Sequence, residues 1–126
     1  MKSLIIGICF LLAFVSPTIL PAQPASLLGN WGAPDLENST IKVYEAEDGL
    51  IYGKIIASDE ADWIDKVILK QVKYDATSES WKGEVYSLRM YFSVDVELSL
   101  LSEERLKLVG RRFLMKKTFY WTREFP

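Results

Sequence analysis

The sequence predicts an all-β fold, a single small antiparallel up-and-down β-barrel of about eight strands that follows an N-terminal signal peptide. Two observations predict the barrel. Short apolar segments are separated by turn residues along most of the chain, and hardly any window shows the spacing of an amphipathic helix. In the clearest segment apolar residues occupy every second position, so one face is buried and the other is wet. The apolar positions of that segment are Met90, Phe92, Val94, Val96, Leu98 and Leu100.

The predicted strands are joined by short links. In chain order they are "LLGNW", "STIKVYEA", "LIYGKIIA", "KVILKQVKY", "WKGEVYSLRMYFSVDVELSL", which counts as two strands although it runs on through "SLRMYF", then "RLKLVGRRFL" and "KKTFYWTREF". Asp48 and Gly49 supply the positive-φ turn of the first hairpin. The segment "SDEADWID" is a polar loop or at most a short helical turn. Closure into a barrel hides the strand edges, and a two-sheet sandwich is the alternative.

The start of the chain is typical of a secretory signal peptide. A basic residue is followed by an apolar run from Leu4 to Val15, which Pro17 ends, and Ala22 is the best residue for cleavage. The predicted divisions are a signal peptide at 1–22, a flexible leader at 23–27 and a barrel domain at 28–126. The alternative is an uncleaved anchor that extends to Leu20. The sequence therefore predicts an exported protein with no integral membrane span after cleavage.

The composition disfavours several classes of function. The chain has no histidine, and its single cysteine, Cys9, lies in the apolar run. Nucleophilic catalysis through histidine and zinc sites built on imidazole or thiolate are therefore excluded, and no cofactor is predicted. Removal of 1–22 leaves 14 of the 15 basic residues, since only Lys2 is lost, and all 17 acidic ones. This excess of acidic charge argues against a nucleic-acid partner.

The acidic residues suggest two further functions, neither of which we favour. The loop residues Asp59, Glu60, Asp62 and Asp65 offer oxygen ligands to a cation such as calcium, but no glycine makes the sharp turn of a tight site, so we expect a solvated loop. A carboxylate-based hydrolase would need two acidic residues to meet at the barrel mouth. The candidates are Glu45, Asp48, Glu84 and Glu97. We predict no catalytic residue and no metal ligand.

Aromatic side chains either line a pocket or fill the barrel, since eight strands leave room for packed side chains or for one small ligand. The candidate ligand-lining residues are Tyr44, Tyr52, Phe92, Arg112 and Phe119. Strict alternation from Leu106 and Leu108 would point Arg112 inward, whereas a bulge at Gly110 would turn it outward. We favour the bulge because burial of an unpaired guanidinium is costly.

Six segments occur in the order found in a known family. They are "GNW", "DGLIYGKI", "ILKQVKYD", "WKGEVY", "LKLVG" and "WTR". Together they resemble the DUF2147 family of exported bacterial proteins, over about residues 28 to 123. The resemblance implies a lipocalin-like, or calycin, barrel in the periplasm or outside a bacterium. Two departures are a shorter acidic loop and the missing turn after "WKGEVY".

The resemblance also implies how the barrel closes. Gly29-Asn30-Trp31 looks like the G-x-W of the first calycin strand, whose tryptophan meets a basic residue on the last strand. Here that residue is Arg123, which shares a face with Trp121 in an extended strand. We expect the guanidinium to stack on the Trp31 indole and to donate to main-chain carbonyls near residues 24–28. The alternative is that Arg123 points into solvent at a frayed end. The residues predicted to close the barrel are Gly29, Trp31, Trp121 and Arg123.

From these patterns we expect a non-enzymatic barrel that binds a small apolar or amphipathic molecule, such as a lipid or fatty acid. This expectation comes from fold analogy. The alternative is a structural or interaction module of the cell envelope, with a packed interior and an unknown protein partner. Outward residues such as Tyr91 would then form part of a contact patch.

Overall fold

A computed structural model describes residues 26–125, which form one closed barrel. The strands are β1 (Gly29–Ala33), β2 (Ser39–Glu45), β3 (Ile51–Ala57), β4 (Val67–Asp75), β5 (Ser80–Ser87), β6 (Phe92–Ser102), β7 (Arg105–Arg112) and β8 (Met115–Glu124). Each strand pairs antiparallel with the next, and β8 pairs with β1. The predicted up-and-down barrel is confirmed, and the sandwich alternative is wrong. The predicted signal peptide and most of the leader lie outside the described residues.

The predicted turns lie where the turn residues indicated, with one exception. Between β2 and β3 the Ala46 carbonyl accepts the Gly49 N–H at 3.0 Å, and Gly49 has φ 82°. The polar loop contains one short 3-10 helix, Ala61–Trp63. The exception is "SLRMYF", which does not run straight on, because a four-residue turn separates β5 from β6. The Tyr91 N–H closes this turn by donating to the Ser87 carbonyl at 2.8 Å.

This turn changes the position predicted for Met90. The alternation holds from Phe92 to Leu100, with Val96 and Leu98 buried, but Met90 is 65% exposed rather than on the buried face. The Met90 N–H is held by the Ser87 hydroxyl at 3.1 Å, so the residue belongs to the turn.

The interior of the barrel is filled by side chains from all eight strands. Those with no exposed surface include Trp31, Ile41, Ile55, Leu69, Val72, Leu98, Leu106 and Leu108. Strands β4 and β5 lie close together at Gly83, where an added Cβ would lie 2.6 Å from the Val72 Cγ2 and 2.8 Å from the Lys70 carbonyl oxygen. Any larger residue at position 83 would therefore have to displace the wall.

The barrel has two distinct ends. We call the end where β1 begins the near end; it also carries the β2–β3, β4–β5 and β6–β7 turns. The opposite, far end carries the loops 34–38, 58–66, 88–91 and 113–114. Leu27 lies at the near end and is only 1% exposed. The sequence placed this residue in the flexible leader, but it packs in the core, so the packed domain begins before residue 28.

Candidate functional site

The near end holds the pair of residues predicted to close the barrel. Arg123 on β8 is the register partner of Trp31 on β1. The guanidinium carbon lies 4.3 Å from the centre of the Trp31 ring, which is fully buried. This is the geometry of a cation stacked on an indole, and it differs from the alternative in which Arg123 points into solvent.

The Arg123 guanidinium also holds three separate segments together. Its Nη1 donates to the Leu28 carbonyl and its Nη2 to the Ser26 carbonyl, both at 2.8 Å. Its Nε donates to the Glu103 carbonyl at 2.6 Å, a partner in the β6–β7 turn that the sequence did not predict. We call this group, Arg123 with Trp31 and the three carbonyls, the clamp. It fastens the leader, a hairpin turn and the last strand to one another.

Neighbouring residues adapt to the clamp. Gly29 has φ 130°, and a Cβ at this position would lie 3.0 Å from the Arg123 Nη1, so glycine keeps the backbone clear of the guanidinium. The Trp31 Nε1 donates to the Leu27 carbonyl at 2.9 Å, which places the Leu27 side chain over the end of the core. Trp121 lies in the core and is 3% exposed.

A groove of about 420 Å³ lies on the outside of the near end, beside the clamp. It is lined by Gly29, Asn30, Arg123, Glu124 and Phe125. Because the Arg123 donors are directed to carbonyls and its face is stacked on Trp31, little of the guanidinium is left to bind an anion in the groove. The arrangement is that of a structural clamp.

Two of the five candidate ligand-lining residues lie on the outer wall. The inward positions of β2 and β3 are those of Val43 and Gly53, and Tyr44 and Tyr52 fall between inward positions. The two tyrosine rings stack on each other with centroids 6.2 Å apart, and the Tyr52 hydroxyl donates to the Asp48 Oδ2 at 2.6 Å. They therefore do not line the interior, because the alternation set by their buried neighbours turns them outward.

The other three candidates lie on inward-facing positions towards the far end. Phe119 is half-buried against the core, and Phe92 is half-buried where β6 begins. The Arg112 guanidinium lies 3.9 Å from the centre of the Phe92 ring. The favoured bulge at Gly110 is absent, since the β7–β8 ladder is regular through Arg112 and Met115. Arg112 keeps its inward register but lies beyond the packed interior and is exposed, so the burial cost that favoured a bulge does not arise.

The far end is covered by side chains from three loops. Leu36, Trp63 and Leu88 pack against the core from the β1–β2, β3–β4 and β5–β6 connections. Arg89 spans this cover, because its Nη2 lies 2.5 Å from the Glu37 Oε2 and its guanidinium carbon lies 5.7 Å from the Trp63 ring centre. Loop residues from distant parts of the sequence thus cover this end of the barrel.

Two of the acidic residues considered for hydrolysis, Glu97 and Asp48, have a pKa shifted in the direction opposite to that of a general acid. The Ser80 hydroxyl, which donates to Glu97 at 2.6 Å, and then Arg111 lower the pKa of that carboxyl, although partial desolvation opposes them. The Tyr52 hydroxyl likewise lowers the pKa of Asp48. A general acid needs a raised pKa, so neither environment is tuned for that role.

The acidic loop is tied to a neighbouring loop. The Asp59 Oδ2 accepts the Asn38 Nδ2–H at 2.8 Å. Within residues 26–125 no group of three or more acidic side chains is placed to hold a metal ion. No helix in the same range has the length and apolar character needed to cross a membrane.

A group of exposed apolar side chains lies at the far end, and of its members only Tyr91 was predicted from the sequence to belong to a contact patch. We call this group the tip patch; it consists of Met90, Tyr91, Phe113, Leu114 and Met115. Phe113 is 90% exposed, Met115 is 76% exposed and Leu114 is fully exposed. The available signal was the segment "RRFLMKK", in which three apolar residues are flanked by two basic residues on each side.

The comparisons with known proteins add no relative. No family model matches the chain, and neither a curated protein nor a solved structure is significantly similar to it. The resemblance to the DUF2147 family therefore stays a prediction.

Proposed function

We propose that this protein is a non-enzymatic, exported interaction module that works through its outer surface and uses the barrel interior as a structural core. One observation carries the proposal: side chains occupy the barrel along its whole length. Leu27 and the clamp lie at the near end, core side chains fill the middle, and the cover that includes Trp63 and Leu88 lies at the far end. A protein of this construction offers its surface, rather than a chamber, to a partner.

The carrier function expected first from fold analogy becomes the second candidate. It is favoured by Arg112, whose exposed guanidinium beside Phe92 suits the carboxylate of an amphipathic molecule. A fatty acid that entered there would have to displace the cover formed by Leu36, Trp63 and Leu88. A groove of about 420 Å³ lies at the near end beside the clamp, and another of about 320 Å³ lies on the outer wall.

Native mass spectrometry together with a fatty-acid titration separates the two candidates. The protein is purified without detergent, its mass is measured under native conditions, and its tryptophan fluorescence is followed as fatty acid is added. The module predicts no additional mass and no saturable quenching, because Trp31 and Trp121 are enclosed by packed side chains. Saturable quenching that Arg112→Gln weakens, and that the outer-wall control Tyr44→Phe leaves unchanged, would establish the carrier instead.

A further inference from the structure

The tip patch is formed by two neighbouring hairpin tips. The β5–β6 turn contributes Met90 and Tyr91, and the β7–β8 turn contributes Phe113 and Leu114. The tips are adjacent because β6 pairs directly with β7. Arg112 connects them, since its guanidinium carbon lies 3.9 Å from the Phe92 ring centre and 5.2 Å from that of Phe113.

These apolar side chains contribute little to the fold. Phe113 and Leu114 bury almost no surface and Met115 is 76% exposed, so these residues gain little of the hydrophobic stabilisation that normally accompanies apolar side chains. Scattered apolar residues are common on protein surfaces, but here five of them project from one end of the barrel. A contiguous exposed apolar group of this kind marks an interaction site.

The backbone of both tips adds an independent observation. Phe113 and Tyr91 have φ values of 56° and 61°, in the left-handed region that glycine and asparagine favour. The other non-glycine residues with positive φ are all polar: Glu37, Asn38, Asp65, Gln71 and Glu79. The fold alone would be better served by glycine at position 113. A strained aromatic residue that buries nothing indicates a role outside the fold.

The charges around the patch indicate the chemistry of its partner. Arg111 and Arg112 precede the tip, and Lys116 and Lys117 follow it, in a chain whose net charge is −2. Among residues 26–125 only Arg111 of these four forms an ion pair, with Glu97 at 3.5 Å. Apolar side chains flanked on both sides by basic ones match the layered structure of an anionic lipid surface, with acyl chains beneath negatively charged headgroups.

We propose that the segment 111–117 docks this protein onto an anionic lipid surface. Phe113, Leu114 and Met115 enter the headgroup boundary, and Arg112, Lys116 and Lys117 contact the phosphates. The acidic loop 58–66 lies across the far end from this tip, because the strand order places the β3–β4 loop opposite the β7–β8 turn. The protein therefore tilts, with the basic tip towards the lipid and the acidic loop away from it. The proposal rests on the proposed function in one respect, that the outer surface does the binding.

A reporter at the tip tests docking directly. In a Cys9→Ser background, Leu114→Cys is labelled with an environment-sensitive fluorophore and titrated with vesicles of phosphatidylcholine containing one third phosphatidylglycerol. Thr77→Cys, in the β4–β5 turn at the near end, carries the same label as a control. We expect the emission of the label at position 114 to increase and shift to the blue, and that of the label at position 77 to stay unchanged. The response at position 114 should weaken when salt is added and when the vesicles contain only phosphatidylcholine.

Two variants separate charge from apolar contact. Lys116→Gln combined with Lys117→Gln should raise the lipid concentration for half-maximal response by about twenty-five-fold, at about fivefold for each basic residue. The control Lys42→Gln with Lys54→Gln removes the same charge from the outer wall and should have no effect. Phe113→Gly, with the label at position 114, should weaken docking by about tenfold without lowering the melting temperature, because glycine suits the backbone there.

The proposal is overturned if the label at position 114 does not respond to anionic vesicles, or if the two-lysine variant or Phe113→Gly docks as well as the parent. Concentration-dependent self-association in sedimentation without a vesicle response would assign the patch to a second copy of the chain. Absence of both responses would leave a protein partner as the occupant. The fatty-acid titration reads the interior, so a carrier result there would refute the proposed function and leave the docking result standing.

Discussion

The clamp makes a prediction that distinguishes arginine from lysine at one position. Arg123→Lys keeps the positive charge but loses the planar face and the donors on Nε, Nη1 and Nη2. Arg123→Met loses the charge, the planar face and the donors. We expect both substitutions to destabilise the barrel, and the lysine variant to retain only a small part of the clamp. Trp31→Leu removes the ring on which the guanidinium stacks. Combined with each Arg123 variant it completes a double-mutant cycle.

The size of the effect follows from the contacts. Stacking of a partly desolvated guanidinium on an indole contributes about 1 to 2 kcal/mol. The hydrogen bonds to the Glu103, Leu28 and Ser26 carbonyls contribute about 0.5 kcal/mol each after exchange with water at this half-exposed site. Arg123→Met should therefore lower the free energy of unfolding by about 3 kcal/mol and Arg123→Lys by about 2 kcal/mol. In the Trp31→Leu background the lysine penalty should fall by about 1 to 2 kcal/mol, since no ring remains to stack on.

Urea melts followed by far-ultraviolet circular dichroism measure these differences. Arg105→Lys is a matched control, because Arg105 lies 4.5 Å from the Tyr120 ring centre on the exposed surface. This control should stay within about 0.5 kcal/mol of the parent, as is usual for surface substitutions. If both Arg123 variants also stay within about 0.5 kcal/mol, the clamp does not stabilise the barrel and the reasoning is refuted.

Four further predictions concern other parts of the molecule. Gly83→Ala should cost about 2 kcal/mol in a urea melt because its Cβ would meet Val72. Because the pKa of Glu97 is lower in the folded state than in the unfolded state, Glu97 contributes stability above its unfolded-state pKa, and this stability is lost as pH falls through the folded-state pKa. Ser80→Ala should therefore raise the folded-state pKa of Glu97, measured by NMR, and make acid unfolding begin at higher pH. The melting temperature should not change with EDTA or reductant; a shift of several degrees would reveal a bound cation. Mass analysis should show an exported form that begins at Gln23; a membrane-bound species that retains Met1 would contradict it.

Much of the fold could be predicted from local sequence. The alternation from Phe92 to Leu100 indicated which face of β6 is buried. The near-end contact was implied by the calycin resemblance, and it agrees with the fact that closing a barrel makes the first and last strands neighbours. The same kind of alternation in β2 also shows that Tyr44 points outward, but only when the apolar positions Ile41 and Val43 are given more weight than aromatic character.

Other features depend on contacts between distant parts of the chain. The cover over the far end brings together Leu36, Trp63 and Leu88, and no spacing in the sequence indicates that three loops meet there. The turn at Met90 was missed because its residues continue the apolar alternation of β6, and the turn is made by hydrogen bonds to Ser87 rather than by glycine or proline. The β7–β8 part of the tip patch was missed because Phe113 and Leu114 were assigned to the end of a predicted strand rather than to a turn.

The seam between β1 and β8 has a consequence for how the chain folds during synthesis. It is a short ladder of three residue pairs, whereas β7 and β8 share eight, and it joins residues from opposite ends of the domain. Closing so long a loop for so few pairs is entropically expensive, so the seam should form last. Until residues 122–124 emerge, the chain is an open sheet whose unpaired edge at β1 is able to recruit a strand from another molecule. A nascent chain that stalls just before this point would therefore be the form most prone to aggregate.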